Sequence, residues 1–172
     1  DLKTAIGFSY ASPFDELVAS KSSFPTYSRA VDVGHWNQYG AFIGYSALME
    51  AVKENFPDLR ILTEEDFSIT EVERELKTDW GFASTETDLK YEPEFTRTAI
   101  EDAGFFDRIN YTSKDIWKSY RYFKNPDTTL PKAILVGDSY VWQFLLQNMA
   151  ESFSELIFIH YLDLDQVNYL TT

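Results

Sequence analysis

The pattern of apolar and polar positions is clearest between residues 133 and 153. Residues 133–136 form an unbroken apolar run that ends at Gly137, which is typical of a strand buried on both faces. Beyond a short polar turn, apolar residues recur at helical spacing, and these are Trp142, Leu145, Leu146, Met149 and Phe153. The pattern therefore predicts a strand, a tight turn and a helix.

Weaker patterns predict further elements on either side of this unit. An amphipathic helix is predicted over residues 42–56, where Pro57 ends it. Strands are also predicted, at residues 4–10, 60–63 and 155–161. Residues 125–127 are predicted to form a turn, and the last eleven residues a loop. Strands that alternate with helices favour a parallel sheet in a layered α/β domain.

Composition limits the classes of protein that the chain can belong to. Its 172 residues fit one domain, and 44% hydrophobic residues are enough for a real core. The net charge of −13 disfavours nucleic acids and anionic membranes as partners. The absence of cysteine excludes disulfides and thiolate metal sites. The chain opens at Asp1 without a leader sequence, so we expect it to be a piece of a longer protein.

The predicted turn, residues 137–139 (Gly-Asp-Ser), lies where the strand ends and the helix begins. Ser139 is therefore expected at the carboxyl end of a strand, beside the backbone N–H groups of the first helical turn. Open α/β sheets bind ligands at that edge, and helix N-termini stabilise anions. On this segment alone two interpretations stay open, because Ser139 fits a nucleophile and also a residue that only caps the helix.

A serine nucleophile needs a base, and the chain contains only two histidines. His35 follows Asp32 by three residues, so the carboxylate of Asp32 is placed to orient the imidazole. The alternative is that Asp32 or Asn37 only caps the helix and that His35 is a surface residue. His160 lies at the end of a predicted buried strand, with no acidic residue near it before Asp163, and we expect it to be structural.

Together these two segments resemble a known family. The Gly-Asp-Ser segment after an apolar strand is similar to the nucleophile block of the SGNH/GDSL hydrolase superfamily, and residues 32–35 are similar to its Asp-x-x-His block. Here the histidine block comes first and a Trp follows it, as in the circularly permuted alginate O-acetyltransferase branch. That branch usually has Asp two residues before the His, a place held here by Val33.

The resemblance implies a fold, a reaction and roles for particular residues. The fold would be a three-layer α/β sandwich with a mostly parallel central sheet, SGNH-hydrolase-like and flavodoxin-like, in one domain over residues 1–172. The reaction would be O-acyl (acetyl) transfer to hydroxyls of a cell-surface or secreted polysaccharide, with Ser139 as nucleophile, His35 as base and Asp32 as orienting acid. Three further residues are candidates for substrate or oxyanion contacts, and these are Trp36, Asn37 and Tyr140.

The resemblance also sets expectations about partners and location. The reaction needs an acyl donor and a polysaccharide acceptor, and relatives of this kind work beside a membrane protein that exports the acyl group. The location would be extracytoplasmic in a bacterium, whether periplasmic, secreted or at the cell surface. We expect no cofactor, no bound metal and no nucleic acid. Two alternatives remain, a carbohydrate acetyl esterase of the same fold and a non-catalytic glycan-binding module.

Aromatic and acidic residues outside these blocks leave the chemistry more open. Four aromatic side chains are candidates for stacking on sugar rings, and these are Trp36, Trp80, Trp117 and Tyr120. Most aromatic side chains, however, are expected to lie in the core. The acidic run at residues 64–66 has no nearby histidine, which is typical of a solvated loop rather than a metal site.

Overall fold

The computed structural model describes residues 11–27, 35–76 and 84–170. The chain divides into two compact units, Asp1–Thr96 and Arg97–Thr172. Within the described ranges, no helix has the length and apolar character needed to cross a membrane. The strand predicted at residues 4–10 lies outside the described residues.

The first unit contains two helices that precede a hairpin. Helix α1 spans Phe14–Ser20, in a polar stretch for which the sequence predicted no element. Helix α2 spans Gln38–Lys53 and confirms the amphipathic helix predicted before Pro57. The buried apolar side chains of α2 are Ala41, Phe42, Tyr45 and Met49. They form much of the core of this unit.

The strand predicted at residues 60–63 is wrong. This segment is irregular and leads into a 3₁₀-helix, Glu64–Asp66. The Leu62 backbone N–H donates a hydrogen bond to the Tyr45 hydroxyl at 2.9 Å, and the Leu62 side chain is buried. The apolar run therefore anchors a loop to α2, with its backbone satisfied by a side chain instead of a neighbouring strand.

A long antiparallel hairpin completes the first unit. Strands β1 (Phe67–Leu76) and β2 (Ser84–Pro93) pair along their whole length. The rings of Phe67 and Tyr91 pack on Phe42 of α2, with centroid distances of 5.6 and 5.2 Å. Charged residues recur along both strands, so the alternating apolar pattern that marks a strand in a sequence is weak here.

The second unit is built on a four-stranded mixed sheet in the order β3-β4-β6-β5. The strands are β3 (Ile100–Glu101), β4 (Arg121–Lys124), β5 (Lys132–Gly137) and β6 (Glu155–His160). Strands β5 and β6 run parallel, whereas β4 is antiparallel to both β3 and β6. Both strands predicted here are present. The burial predicted for β6 is confirmed, whereas the burial predicted for β5 on both faces is wrong, because β5 is an edge strand whose apolar residues are only partly buried.

Helical segments connect and follow these strands. Helix α3 (Phe105–Arg108) precedes β4. Between β5 and β6, a π-helical turn (Val141–Leu145) continues into helix α4 (Leu146–Ala150), which confirms the predicted helix. After β6, a 3₁₀-helix (Tyr161–Gln166) and helix α5 (Val167–Leu170) occupy the segment predicted as a loop, so that prediction is wrong.

Strand β6 is the centre of the second unit's core. Ile157 and Ile159 belong to a cluster on one face of the sheet, together with Phe106 and Tyr122. Side chains alternate along a strand, so the neighbouring positions of β6 point to the opposite face. One of these is Phe158, which is fully buried, and helix α4 packs against β6. Both faces of β6 are therefore covered.

This architecture corrects the predicted fold class. We expected a three-layer sandwich around a mostly parallel sheet, but β5–β6 is the one parallel pair among the described residues. The other pairs are antiparallel, and the two longest strands form a separate hairpin. A parallel pair needs a long crossover, usually a helix. The four-residue helix α3 is too short to supply one between β3 and β4.

Candidate functional site

Ser139 lies in the turn between β5 and the helical segment, at the carboxyl end of β5. The Asp138 carboxylate accepts a hydrogen bond from the Tyr140 backbone N–H at 3.0 Å, and the Asp138 carbonyl accepts one from the Val141 N–H at 3.2 Å. These bonds fix the direction in which the chain leaves the strand. Ser139 is partly exposed at the start of a helical segment, where the backbone dipoles favour negative charge.

The tightness of this turn explains the glycine at position 137. A Cβ atom there would lie 2.9 Å from Val141 Cγ2 and 3.4 Å from Phe158 Cε2. The first distance is shorter than ordinary carbon–carbon contacts in a protein. A side chain at this position would therefore push the first helical turn away from the strand and move Ser139 with it.

Two aromatic side chains and one cation flank the turn. Tyr140 and Trp142 are both about two-fifths exposed, at 41% and 40%. The Arg121 guanidinium lies 5.5 Å from the centroid of the Trp142 ring, and its Nε is 3.2 Å from a carboxylate oxygen of Glu101. Arg121 was not predicted as a site residue. It reaches this edge because β4 runs antiparallel to β6 and begins where β6 ends, which no local sequence signal reveals.

His160 ends β6 directly opposite Gly137, so an imidazole lies at the same sheet edge as the Ser139 turn. Its Nδ1 accepts a hydrogen bond from the Leu162 backbone N–H at 3.4 Å, and His160 caps the following 3₁₀-helix. The ring also packs on Tyr161, with centroids 4.4 Å apart. The structural role that the sequence indicated for His160 stays a prediction.

Asp115 is a buried acidic residue that the sequence did not single out. Its carboxylate accepts hydrogen bonds from the Trp117 backbone N–H at 3.1 Å and the Ser119 backbone N–H at 2.7 Å. Burial opposes ionisation of Asp115, but these bonds and the charge of nearby His160 hold its pKa below the ordinary value of 3.8. Asp115 is 45 residues from His160 in sequence, so local spacing gives no sign of their proximity.

His35 belongs to the first unit, where it is partly exposed just ahead of α2. The neighbouring Trp36 forms a β-bridge with Tyr27. The Trp36 ring lies against Gly44 of α2, since a Cβ at Gly44 would be 2.6 Å from Trp36 Cη2. The indole is therefore packed on the helix. Asp32, the predicted orienting acid, lies outside the described residues.

Asn37 is buried at the N-terminus of α2. Its Oδ1 accepts a hydrogen bond from the Gly40 backbone N–H at 2.9 Å, so Asn37 is the helix cap. Its Nδ2 donates to the Pro25 carbonyl at 2.8 Å and to the Asp88 carboxylate at 2.9 Å. Both amide hydrogens and one lone pair are thus engaged. These bonds fix the chain two residues after His35.

The acidic run at residues 64–66 forms a capped turn. Asp66 accepts a hydrogen bond from the Thr63 backbone N–H at 2.8 Å and lies 3.4 Å from Arg60 Nη2. The Tyr91 hydroxyl donates to Glu64 at 3.3 Å. These carboxylates have local structural partners. In the part of the chain that the structure describes, no three His, Asp or Glu side chains are grouped so as to hold a metal ion.

Comparison with known proteins shows similarity at the level of fold. No family model and no curated protein matches the chain. The structure of Bacillus cereus PatB1 with a sulfonyl adduct matches with a TM-score of 0.55 at 18% identity, over 80% of this chain and 54% of that one. A DHHW family protein from Eubacterium siraeum matches with a TM-score of 0.55 at 13% identity, over 92% of this chain and 60% of that one.

At these identities the likeness shows a shared fold. The chain spans little more than half the length of either structure, 54% and 60%. The SGNH/GDSL resemblance itself still rests on the two sequence blocks.

Proposed function

We propose that this chain transfers an acyl group, acetyl in the first place, to hydroxyls of a polysaccharide, with Ser139 as the nucleophile. The observation that carries the proposal is the position of Ser139 in a tight Gly-Asp-Ser turn, at the carboxyl end of β5 and the start of a helical segment. Negative charge that develops on an ester oxygen at such a helix start is stabilised by backbone dipoles.

The first chemical step forms an acyl-enzyme. His35, oriented by Asp32, accepts the proton of the Ser139 hydroxyl as Oγ attacks the carbonyl carbon of the donor ester. The tetrahedral intermediate then collapses: its bond to the donor alkoxide breaks, and His35 returns the proton to that leaving group. The Ser139 backbone N–H is our candidate donor to the oxyanion. A well-placed donor of this kind lowers the barrier by about 3–4 kcal/mol.

The second step releases the acyl group. A sugar hydroxyl loses its proton to His35 and attacks the acyl carbon, after which the bond to Ser139 Oγ breaks and Oγ takes the proton back. The product is an O-acylated glycan. If water attacks in place of the sugar, the same residues carry out ester hydrolysis, so the acceptor decides between transferase and esterase.

The residues around the two motif segments receive different assignments. We assign Asn37 to holding the His35 segment in place, because both of its amide hydrogens are donated to protein partners. Trp36 supports the same segment through its packing on α2. Tyr140, which is exposed next to Ser139, remains our candidate for substrate contact.

The wider setting follows from the same proposal. An enzyme that acylates a cell-surface or secreted glycan acts outside the cytoplasm, and it needs an acyl donor there. We therefore propose an extracytoplasmic location and a membrane partner that exports the acyl group.

An aryl sulfonyl fluoride and a chromogenic acetate ester test the nucleophile. PatB1, which shares the fold, was solved with a sulfonyl adduct, a kind of adduct that activated nucleophiles form. We expect the wild-type chain to gain one sulfonyl group on Ser139, seen by intact mass and peptide mapping. Ser139→Ala and His35→Ala should each lower the rate of ester turnover by at least about 10³-fold. The loss should not be complete, because an enzyme that lacks one triad member keeps some residual catalysis.

Matched controls come from the chain itself. Ser22, an exposed serine whose hydroxyl bonds to the Ala19 carbonyl, provides Ser22→Ala, and His160→Ala tests the other histidine. Both should keep wild-type turnover. His35 would be excluded as the base if Ser139 is labelled in the wild-type chain but ester turnover is lost in His160→Ala and retained in His35→Ala. A wild-type chain that neither reacts with the sulfonyl fluoride nor forms an acetyl-enzyme would contradict the enzymatic function.

A further inference from the structure

The loop between α3 and β4, residues 111–120, is fastened at two buried carboxylates. Asp163 is fully buried in the 3₁₀-helix after β6 and accepts hydrogen bonds from the Lys114 backbone N–H at 2.7 Å and the Ser113 hydroxyl at 2.5 Å. Asp115 holds the other half of the loop through the backbone N–H groups of Trp117 and Ser119. The backbone of the loop is thus fixed by side chains within its own unit.

Two further contacts attach the same loop to the 3₁₀-helix. The Gln166 side-chain amide donates to the Thr112 carbonyl at 3.0 Å, and Lys114 Nζ lies 2.6 Å from the Asp165 carboxylate. A loop with so many fixed points loses little conformational freedom when a ligand binds to it, which favours affinity.

This fixed loop presents large apolar side chains to solvent. Ile116 is 83% exposed and Trp117 is 81% exposed. Side chains of this type are usually buried at least in part, and a tryptophan held outward on an ordered loop is typical of a binding surface. The sequence alone left open whether Trp117 lies in the core, and its exposure decides against the core.

The loop lies at the sheet edge that carries the Ser139 turn. The 3₁₀-helix that fastens it starts at the end of β6, where His160 pairs with Gly137 of β5. Gly137 is two residues before Ser139, and adjacent strands are about 4.8 Å apart. The loop that carries Trp117 is therefore attached, through the 3₁₀-helix, to the strand end next to Ser139.

We propose that Trp117 is a stacking platform for a pyranose ring of the acceptor glycan. The inference rests on the acyl-transfer function proposed above, and it adds the class of acceptor, an uncharged polysaccharide. An indole face is flat and apolar, like the C–H face of a pyranose, and it is polarised to attract such groups. Lys118, the next residue along the loop, offers donors to sugar hydroxyls. The net charge of −13 disfavours a polyanionic chain.

Binding is tested with neutral tetrasaccharides of glucose, xylose and N-acetylglucosamine, each titrated against Ser139→Ala so that no acyl transfer interferes. We expect at least one tetrasaccharide to bind. Adding Trp117→Ala to Ser139→Ala should then raise the Kd for that tetrasaccharide by about tenfold. Trp117→Phe should retain most of the affinity, because a smaller aromatic face remains. Ile116→Ala is the matched control, since it removes an equally exposed but aliphatic side chain of the same loop, and it should leave Kd unchanged.

The platform and the catalytic proposal fail in different ways. The platform is overturned if none of the three tetrasaccharides binds, if Trp117→Ala binds as tightly as its parent, or if Ile116→Ala weakens binding equally, as in a patch that docks a protein. Sugar binding that depends on Trp117, in a chain that forms no acyl-enzyme with the acetate ester, would leave the platform standing and remove the catalytic proposal. In the wild-type chain, Trp117→Ala should slow transfer to the sugar without slowing acyl-enzyme formation.

Discussion

At the scale of single residues, the turn around Ser139 depends on a close contact between a glycine and a valine. Gly137 leaves room for Val141, whose Cγ2 would be 2.9 Å from any Cβ at position 137. Asp138 then caps the turn through the Tyr140 backbone N–H. The backbone on either side of Ser139 is therefore held by packing at Gly137 and by a hydrogen bond at Tyr140.

Gly137→Ala should lower both stability and the rate of acyl-enzyme formation. We expect a loss of about 1–3 kcal/mol in unfolding free energy, the usual cost of an added methyl group in a tight contact. We expect the acylation rate to fall about tenfold or more, because small displacements of a nucleophile cost up to a hundredfold. Urea denaturation and rapid-mixing kinetics with the acetate ester measure the two effects.

The double variant Gly137→Ala/Val141→Ala identifies the cause. Removing the Val141 methyl groups frees the space that the new Cβ needs, so the acylation rate should return toward that of Val141→Ala alone. A double variant as slow as Gly137→Ala would mean that the contact with Val141 does not position Ser139.

Single residues were predictable where one short segment contained the whole signal. Ser139 and Gly137 stand out because a strand, a turn and a helix follow one another within twenty residues. Asp115 and Arg121 were missed because each reaches the sheet edge through tertiary structure, one by a loop and the other by an antiparallel strand. Asn37 was a candidate for both a cap and a substrate contact, because an amide at a helix start suits either role, and its hydrogen bonds are those of a cap.

At the scale of elements, two glycines one turn apart in helix α2 allow other parts of the chain to pack directly against the helix backbone. A Cβ at Gly40 would lie 2.0 Å from the Thr26 carbonyl oxygen, and a Cβ at Gly44 would lie 2.6 Å from the Trp36 ring. The backbone before α2 and the residue after His35 therefore sit directly on the helix.

Gly40→Ala should destabilise the chain even though alanine favours helices. In an open helix this change gains about 0.5–1 kcal/mol, but here the new methyl group meets a backbone oxygen that cannot move without the chain. We expect a net loss of about 2 kcal/mol or more in unfolding free energy, measured by urea denaturation. Gly104→Ala is the control, because a Cβ there would meet side-chain atoms instead of a carbonyl, Arg108 Nη1 at 2.9 Å and Asp102 Oδ1 at 3.9 Å. Equal stability of the two variants would contradict this account of α2.

Elements with a one-sided or fully apolar pattern were predictable, and the others were not. Strands β5 and β6 and helix α2 were predicted because each has a clear apolar pattern in the sequence, although β5 proves to be a partly buried edge strand. The hairpin β1–β2 was not predicted, because charged residues recur along both strands. A strand was wrongly predicted at residues 60–63, because a segment that anchors a loop is also apolar. The sheet order was out of reach, since pairing direction depends on connections that the pattern does not specify.

At the scale of the whole molecule, two effects of pH oppose each other. At neutral pH the chain has a net charge of −13, so its negatively charged side chains repel one another. This repulsion decreases as the pH falls toward the isoelectric point near 4.5. Several carboxyl groups have a pKa held below the ordinary value, mainly by hydrogen bonds that outweigh desolvation, and these are Asp102, Asp115, Asp127, Glu155 and Asp165. Groups of this kind stabilise the fold above their ordinary pKa, and that stability is lost as the pH falls through the lower folded value.

Thermal stability should therefore peak at about pH 5, between the two effects. Melting temperatures from pH 3 to pH 8, followed by circular dichroism at low and at roughly 0.5 M salt, test this expectation. Salt should raise the neutral side of the profile, because it screens the repulsion. It should lower the acid side, because three of these carboxyl groups, Asp102, Glu155 and Asp165, are paired with exposed cations whose attraction salt screens. A melting temperature that rises steadily from pH 5 to pH 8 at low salt would show that self-repulsion is the weaker of the two effects.

The position of β6 in the sheet has a consequence for the order in which the chain is made. Strand β6 lies between β4 and β5, yet it is synthesised after both of them. On the ribosome, β4 and β5 therefore emerge before the strand that joins them, and the edge that each of them presents to β6 has no native partner until residue 160 has left the exit tunnel. The second unit closes in one late event, so a truncation before β6 should yield an aggregating species rather than a smaller folded protein.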